Sequence, residues 1–196
     1  HYAVYENGNL KLTRYWTVGY TEPERAKTLE EYTETLRDLL FESVRLRLMS
    51  DVPLGAFLSG GVDSSIVVGI MSQLMDRPVE TFSIGFEDRS YNELRYARIA
   101  ASSFKTSSHE FEVRYEHIPD ILPRLVHHFD EPFADSSAIP TYYISEIARR
   151  YVTVVLSGDA GDEIFAGYRR YLARRLASYY NRLPRSLRKS LVERTV

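Results

Sequence analysis

The sequence predicts an α/β fold: a doubly wound, mostly parallel sheet with a short N-terminal β-hairpin. Three observations carry that prediction. From Leu54 onward, short β-branched or aromatic runs alternate with helical periodicities, the pattern of βαβ units. Two glycine-bearing corners, Ser59–Ser65 and Ser157–Glu163, each follow a strand-like run directly, which places both on one edge of the sheet. Near the start, Asn7-Gly8 lies between β-prone runs, a strong hairpin signal.

Element by element, residues 1–16 alternate around Glu6-Asn7-Gly8-Asn9 and predict the hairpin. Val18 to Lys27 is a polar connector with one proline. Thr28-Leu29-Glu30-Glu31 fits a capping box, and apolar residues recur at Leu29, Leu36, Leu39, Leu40, Val44 and Leu48, so a helix runs to near Ser50. Leu54–Leu58 reads as the first buried strand and Ile66–Met75 as helix. Val79–Phe86 is the second strand, Asn92 caps a helix through Ala101, and His109–Val113 is the third strand. Ile118–Phe129 is helical with Pro119 in its first turn. Thr141–Arg150 is the next helix and leads into a strand at Val152–Leu156.

The tail from Phe165 is rich in Tyr and Arg. Such residues serve stacked bases in nucleic-acid binders, but Tyr168, Leu172, Leu176 and Tyr179 recur at helical spacing, which predicts that the apolar members are core.

Composition bounds the rest. With 196 residues, 44% hydrophobic and 27% charged, the chain has material for one large core plus an appendage. A net charge of −2 recommends neither nucleic acid nor an anionic membrane as a partner. No apolar run approaches a membrane span, and a cytoplasmic setting is the expectation. The absence of cysteine excludes disulfides, thiolate metal sites and cysteine nucleophiles within these residues.

The richest segment is Leu54–Ser65, which runs from an apolar strand through Ser59-Gly60-Gly61 into Asp63-Ser64-Ser65 and then a helix. Gly60 and Gly61 permit φ > 0 and present bare N–H groups. Ser64 and Ser65 add hydroxyls where the helix begins, and its unpaired N–H groups favour an anion. The turn reads as a phosphate cradle. It is not the lysine-bearing nucleotide loop: Gly55 and Gly60 have its spacing, but Gly61 and Val62 fill the lysine and hydroxyl slots. Asp63 would repel a phosphate unless a metal intervened, so it reads as a ligand for Mg²⁺ on a polyphosphate. In isolation Ser-Gly-Gly is a loop and Asp63-Ser64 a helix cap; the whole run after a strand favours phosphate.

Ser59-Gly60-Gly61-Val62-Asp63-Ser64-Ser65 resembles the pyrophosphate-binding loop of the ATP pyrophosphatases. A second segment, Val154 to Tyr171 with Ser157-Gly158-Asp159-Ala160-Gly161-Asp162-Glu163, is similar to the second nucleotide-contacting segment of glutamine-hydrolysing asparagine synthetases. On its own terms this segment ends a β-branched run in a turn with three acids within five residues, either a solvated helix cap or a cation site. The resemblance covers about residues 25 to 180. It implies an adenine nucleotide α-hydrolase-like fold, with residues 1–20 as the hairpin and linker left from a glutaminase domain. Residues 21–196 would then be the ATP-pyrophosphatase domain, truncated before a downstream lysine-bearing motif. Activity of the fragment alone is not expected.

The resemblance also implies roles. ATP would place its β- and γ-phosphates in Ser59, Gly60, Gly61, Asp63, Ser64 and Ser65, with Asp63 and Asp162 sharing Mg²⁺. Leu58, Ile84, Ser157 and Gly158 fall where the family contacts adenosine; for the side chains of Leu58 and Ile84, strand core is the equal alternative. Asp159 occupies the position of an acid, often Glu, important for adenylate formation. The implied partners are a carboxylate, by default aspartate, ammonia, and the glutaminase domain of the same chain; a homodimer is left open. The loop Phe129–Pro140 stands where such synthetases carry threonine and arginine, yet it holds no arginine. That keeps a second acceptor open, as in β-lactam synthetase-like or secondary-metabolite enzymes. A non-catalytic nucleotide-binding module is the third reading. His127 and His128 precede the loop and read as helix-end residues near the dipole's negative pole.

Overall fold

The computed structural model describes residues 1–19, 27–88, 92–113, 118–131, 133–182 and 184. The chain divides into two compact units, His1–Asp38 and Leu39–Val196. In the first, β1 (Tyr2–Glu6) pairs antiparallel with β2 (Asn9–Thr13), from Tyr2 opposite Thr13 to Glu6 opposite Asn9. Asn7 and Gly8 take φ of 50° and 80°, the two positive values that a two-residue turn between twisted strands requires. Most of the connector expected at Val18–Lys27 lies outside the described residues. α1 (Leu29–Arg47) opens with the predicted capping box. The Thr28 N–H donates to Glu31 Oε2 at 2.7 Å, and the Glu31 N–H donates to Thr28 Oγ1 at 3.2 Å.

The second unit is built on four parallel strands: β3 (Leu54–Phe57), β4 (Glu80–Phe86), β5 (Ser107–Val113) and β6 (Val154–Leu156). Their order is β5-β4-β3-β6, so the chain steps outward from β3 to β5 and then returns to the other side of β3. The strand order therefore reverses at the β3/β6 boundary, where sheets of this type open a crevice at their carboxyl ends.

Between the strands run α2 (Val62–Leu74), α3 (Leu94–Phe104), α4 (Ile118–Phe129) and α5 (Ala138–Ala148). α6 (Gly161–Phe165) and α7 (Arg169–Arg182) follow β6. Helix α2 begins at Val62, so Asp63, Ser64 and Ser65 lie in its first turn as the sequence predicts, and the glycine corner is itself the helix N-terminus. Asn92 Oδ1 accepts the Leu94 N–H at 3.1 Å and starts α3, as its sequence position predicts.

Two apolar clusters hold the sheet from its two faces. One joins Val44 of α1 to Leu54, Ala56 and Leu58, to Val68, Ile70 and Met71 of α2, and to Ala97 and Ala101 of α3. The other joins Phe82 to Ile144 and Ala148 of α5 and to Val152, with Phe57, Ile84, Phe111 and Val155 packed against it. Helices thus cover both faces, the doubly wound arrangement. A fully buried side chain such as Phe82 or Met71 stabilises by roughly 1.5–3 kcal/mol.

Helix α7 forms, but its apolar stripe is not core. Leu172, Leu176 and Tyr179 are 60%, 60% and 52% exposed. Helical spacing fixes which residues share a face; it does not supply the surface that covers them.

Candidate functional site

The first corner is braced by its own hydroxyls. Ser59 and Ser64 place their Oγ atoms 2.9 Å apart, and the Ser59 N–H donates to Ser64 Oγ at 3.3 Å. The Gly61 N–H donates to Ser59 Oγ at 3.2 Å, and Ser64 Oγ donates to the Gly61 carbonyl at 3.3 Å. Gly60 sits at φ 82°, and a Cβ there would run into the backbone of Tyr96 and Ala97 in α3, so only glycine fits. The first intrahelical bond of α2 runs from the Ser65 N–H to the Gly61 carbonyl at 3.0 Å. The N–H groups of Val62, Asp63 and Ser64 precede it and lie ahead of the helix's own ladder, where they add to the positive pole. The Ser65 hydroxyl has no hydrogen-bond partner among the described residues.

The second corner follows β6, the immediate neighbour of β3, with Ala56 opposite Leu156. Ser157 Oγ donates to Asp159 Oδ2 at 2.9 Å, and the Gly161 N–H donates to the Gly158 carbonyl at 3.2 Å. Ala160 takes the left-handed conformation at φ 71° before α6 begins.

The two corners meet. A Cβ on Gly158 would stand 2.7 Å from the Ser64 nitrogen and 3.1 Å from Asp63 Cβ. A Cβ on Gly161 would stand 2.6 Å from Asp63 Oδ2 and 2.8 Å from its Cβ. Both glycines are spaces that the Asp63 and Ser64 atoms occupy. The structure thus brings Asp63, Ser64, Gly158 and Gly161 together, with Asp162 next in chain and Asp159 tied to Ser157.

Other residues on the predicted set stand differently. Leu58 is 1% exposed, its N–H donates to the Phe82 carbonyl at 2.9 Å, and its carbonyl accepts from Ser83 Oγ at 2.6 Å. Its side chain is core. Ile84 packs against the α5 cluster and is core on that side.

Sequence reasoning placed Tyr168 in the helical stripe and missed its hydroxyl, which donates to Glu163 Oε1 at 2.7 Å. That bond holds the Glu163 carboxyl below its usual range and pushes the Tyr168 hydroxyl above its own. An acid at the head of a short helix with Gly-Tyr four residues on was the available signal. In the loop before α5, the rings of Phe129 and Phe133 stack with centroids 4.4 Å apart. Asp135 Oδ1 accepts the Ser137 N–H at 2.9 Å, which lowers that carboxyl below its ordinary value.

The carboxylates that could hold a metal are those of Asp63 and Asp162, neither of which has a hydrogen-bond or ion-pair partner among the described residues. Also among the described residues, no group of three or more His, Asp or Glu side chains could hold a metal ion by itself. Two carboxylates with phosphate oxygens are what Mg²⁺ uses, so these residues fit a metal that arrives with a polyphosphate and not a resident ion. Among the described residues, no helix is long and apolar enough to cross a membrane.

The asparagine synthase family model matches residues 35–196. The chain is 43% identical over 177 residues to the putative asparagine synthetase [glutamine-hydrolyzing] 2 of Methanocaldococcus jannaschii, covering 89% of this chain and 33% of that protein. It is 33% identical over 193 residues to the asparagine synthetase [glutamine-hydrolyzing] 1 of Bacillus subtilis, covering 97% and 30%. A solved NH3-dependent NAD synthetase from Campylobacter jejuni superposes with a TM-score of 0.45 at 19% identity, covering 73% of this chain and 62% of that one. The chain spans about a third of the length of the curated relatives it matches. The strand-borne corners and the match over most of the sequence make this chain a member of the asparagine synthase family.

Proposed function

We propose that this chain is the nucleotide-activating part of an ATP-dependent amide-forming ligase of asparagine-synthetase type. The supporting observation is the seating of Gly158 and Gly161 on Asp63 and Ser64, which merges two glycine corners into one site at the reversal of strand order. ATP is the substrate that such a corner accommodates, with its pyrophosphate end over the α2 N-terminus. The N–H groups of Val62, Asp63 and Ser64 and the free Ser65 hydroxyl hold the leaving pyrophosphate. Ser157 and Gly158, at the end of β6, border the adenosine, whereas the side chains of Leu58 and Ile84 pack into the clusters on the two faces of the sheet.

Asp63 and Asp162 are the residues that would hold Mg²⁺, whose chemistry is to neutralise charge on the polyphosphate. An oxygen of the substrate carboxylate attacks the α-phosphorus, the bond to the bridging oxygen of the β-phosphate breaks, and pyrophosphate departs with that electron pair. Ammonia then attacks the acyl carbon and AMP leaves from it. Asp159, oriented by Ser157, is the acid at the reacting end. No protein nucleophile is needed. Aspartate is the default carboxylate, with glutamine as the ammonia source through a glutaminase domain of the same parent chain, in keeping with the names of the relatives.

A second reading keeps adenylation and changes the acceptor; the arginine-free loop from Phe129 to Pro140 supports it. Pyrophosphate release by the full-length protein with ATP, Mg²⁺ and a panel of acids tests both. Release with aspartate is the expected result, and release only with another carboxylate establishes the second reading. No release with any acid sinks the ligase and leaves a nucleotide-binding module.

A further inference from the structure

The helix that carries Asp162 cannot hold itself. α6 is five residues long, Gly161–Phe165, far below the length at which a helix is stable alone in water. It stops at Ala166, which takes the left-handed conformation at φ 58°. The chain then doubles back on the residues it has just left. The Gly167 N–H donates to the Asp162 carbonyl at 3.0 Å. Gly167 also lies against the Asp162 side chain: a Cβ there would collide with Oδ1 and stand 2.9 Å from Cγ. One residue later the Tyr168 hydroxyl donates to Glu163 Oε1 at 2.7 Å, and the Arg170 guanidinium sits 4.5 Å from the centre of the Tyr168 ring. Asp162 and Glu163 are thus each gripped by the turn that follows them.

We propose that the turn Ala166–Tyr168 is a clamp that positions Asp162, with Gly167 fixing the carboxylate by contact and the Tyr168–Glu163 bond keeping the turn closed. The inference rests on the assignment of Asp162 as a carboxylate for the metal-bound polyphosphate. Glu163, Gly167, Tyr168 and Arg170 are positioning residues; they touch Asp162 or its helix, not the nucleotide. The physical reason is restraint. A carboxylate on a one-turn helix has mobile backbone beneath it and two free torsions of its own. Gly167 against Oδ1 and Cγ limits those freedoms before a ligand arrives, and partners behind a metal-binding carboxylate are worth about 10–100-fold in metal affinity. Gly167 is required because any larger residue would take the volume that the Asp162 oxygen fills.

The test titrates binding of a fluorescent ATP analogue by the full-length protein against Mg²⁺, without an acid substrate and therefore without turnover. Gly167→Ala and Tyr168→Phe are each expected to raise the half-saturating Mg²⁺ concentration roughly tenfold. Nucleotide affinity in EDTA and the melting temperature stay near wild type, which a merely structural role would not allow. Glu163→Gln keeps an oxygen for the Tyr168 hydroxyl and should bind Mg²⁺ like the wild type, whereas Glu163→Ala should match Tyr168→Phe. Tyr168→Phe removes a single oxygen and carries the test should Gly167→Ala fail to fold.

Unchanged Mg²⁺ dependence in Tyr168→Phe, beside a normal wild-type curve, overturns the clamp alone. Equal damage from Glu163→Gln and Glu163→Ala also overturns it, by making the Glu163 charge itself the ligand. A wild-type protein whose nucleotide binding ignores Mg²⁺ overturns the site assignment and the clamp with it.

Discussion

The two glycine corners do similar work by opposite means. The corner after β3 is self-contained: Ser59, Gly61 and Ser64 bond to one another, and a full helix of thirteen residues continues from it. The corner after β6 has a three-residue strand behind it and a five-residue helix ahead, with left-handed alanines at both ends of that helix. It takes its shape from what it leans on, Asp63 on one side and its own returning turn on the other. A preorganised anion cradle suits the first design, since oriented N–H groups act only if they do not reorganise. The second design delivers acids to a place that the first corner has already defined.

Breaking the shared element should have the largest effect. Asp63→Asn removes a charge at the junction and is expected to lower ATP–pyrophosphate exchange by about 10²–10³-fold, measured with the full-length protein. Its melting temperature should not fall, because Asp63 has no bonded partner among the described residues. Gly161→Ala drives a Cβ into Asp63 and should lower exchange by roughly 10–100-fold through misplacement alone. The matching change in the first corner, Gly61→Ala, meets only Ser59 Oγ at 3.2 Å with φ at −66°, so the corner should keep its shape and exchange should fall less than in Gly161→Ala. Similar losses from the two glycine variants would erase the distinction drawn between the corners.

Ser64→Ala removes the braces of the first corner from a buried position and should cost about 1–2 kcal/mol in urea unfolding. The smallest effect lies outside both corners. Asp135 is held below its ordinary value by the Ser137 N–H, so its contribution is present above the unfolded carboxyl range, about pH 4. It disappears as pH falls through the lower, folded value. A carboxyl-carbon NMR titration should place the Asp135 midpoint below that of exposed aspartates, and an ordinary midpoint would remove the turn's role.

What could be read in advance followed from strong local signals. Asn7-Gly8 demanded its turn, Thr28 and Glu31 their reciprocal cap, and Ile118–Phe129 formed as a helix with the bounds that its pattern suggested, even across Pro123. The first corner was legible because glycine, hydroxyl and acid after an apolar run serve few other purposes. The start of α2 was legible from Asp63, Ser64 and Ser65 as a polar first turn, although apolar periodicity alone sets in only at Ile66. Burial was the weaker inference throughout. Leu58 and Leu172 are both leucines at apolar-patterned positions, yet one is sealed between β3 and its neighbours and the other faces outward. The packing of Gly161 on Asp63 was out of reach because a missing side chain leaves no trace of which atoms fill its place.

The reversal of strand order also has a consequence for synthesis. Ala56 waits one hundred residues for its partner Leu156, because four helices and two strands are made in between. As the ribosome releases the chain from its N-terminus, the loop after β3 emerges long before the carboxylates that complete it. Closing so long a span is a slow event in folding. In a nascent or prematurely ended chain the first corner therefore stands without the second, and the junction of Asp63 with Gly158 and Gly161 forms only once β6 has docked beside β3.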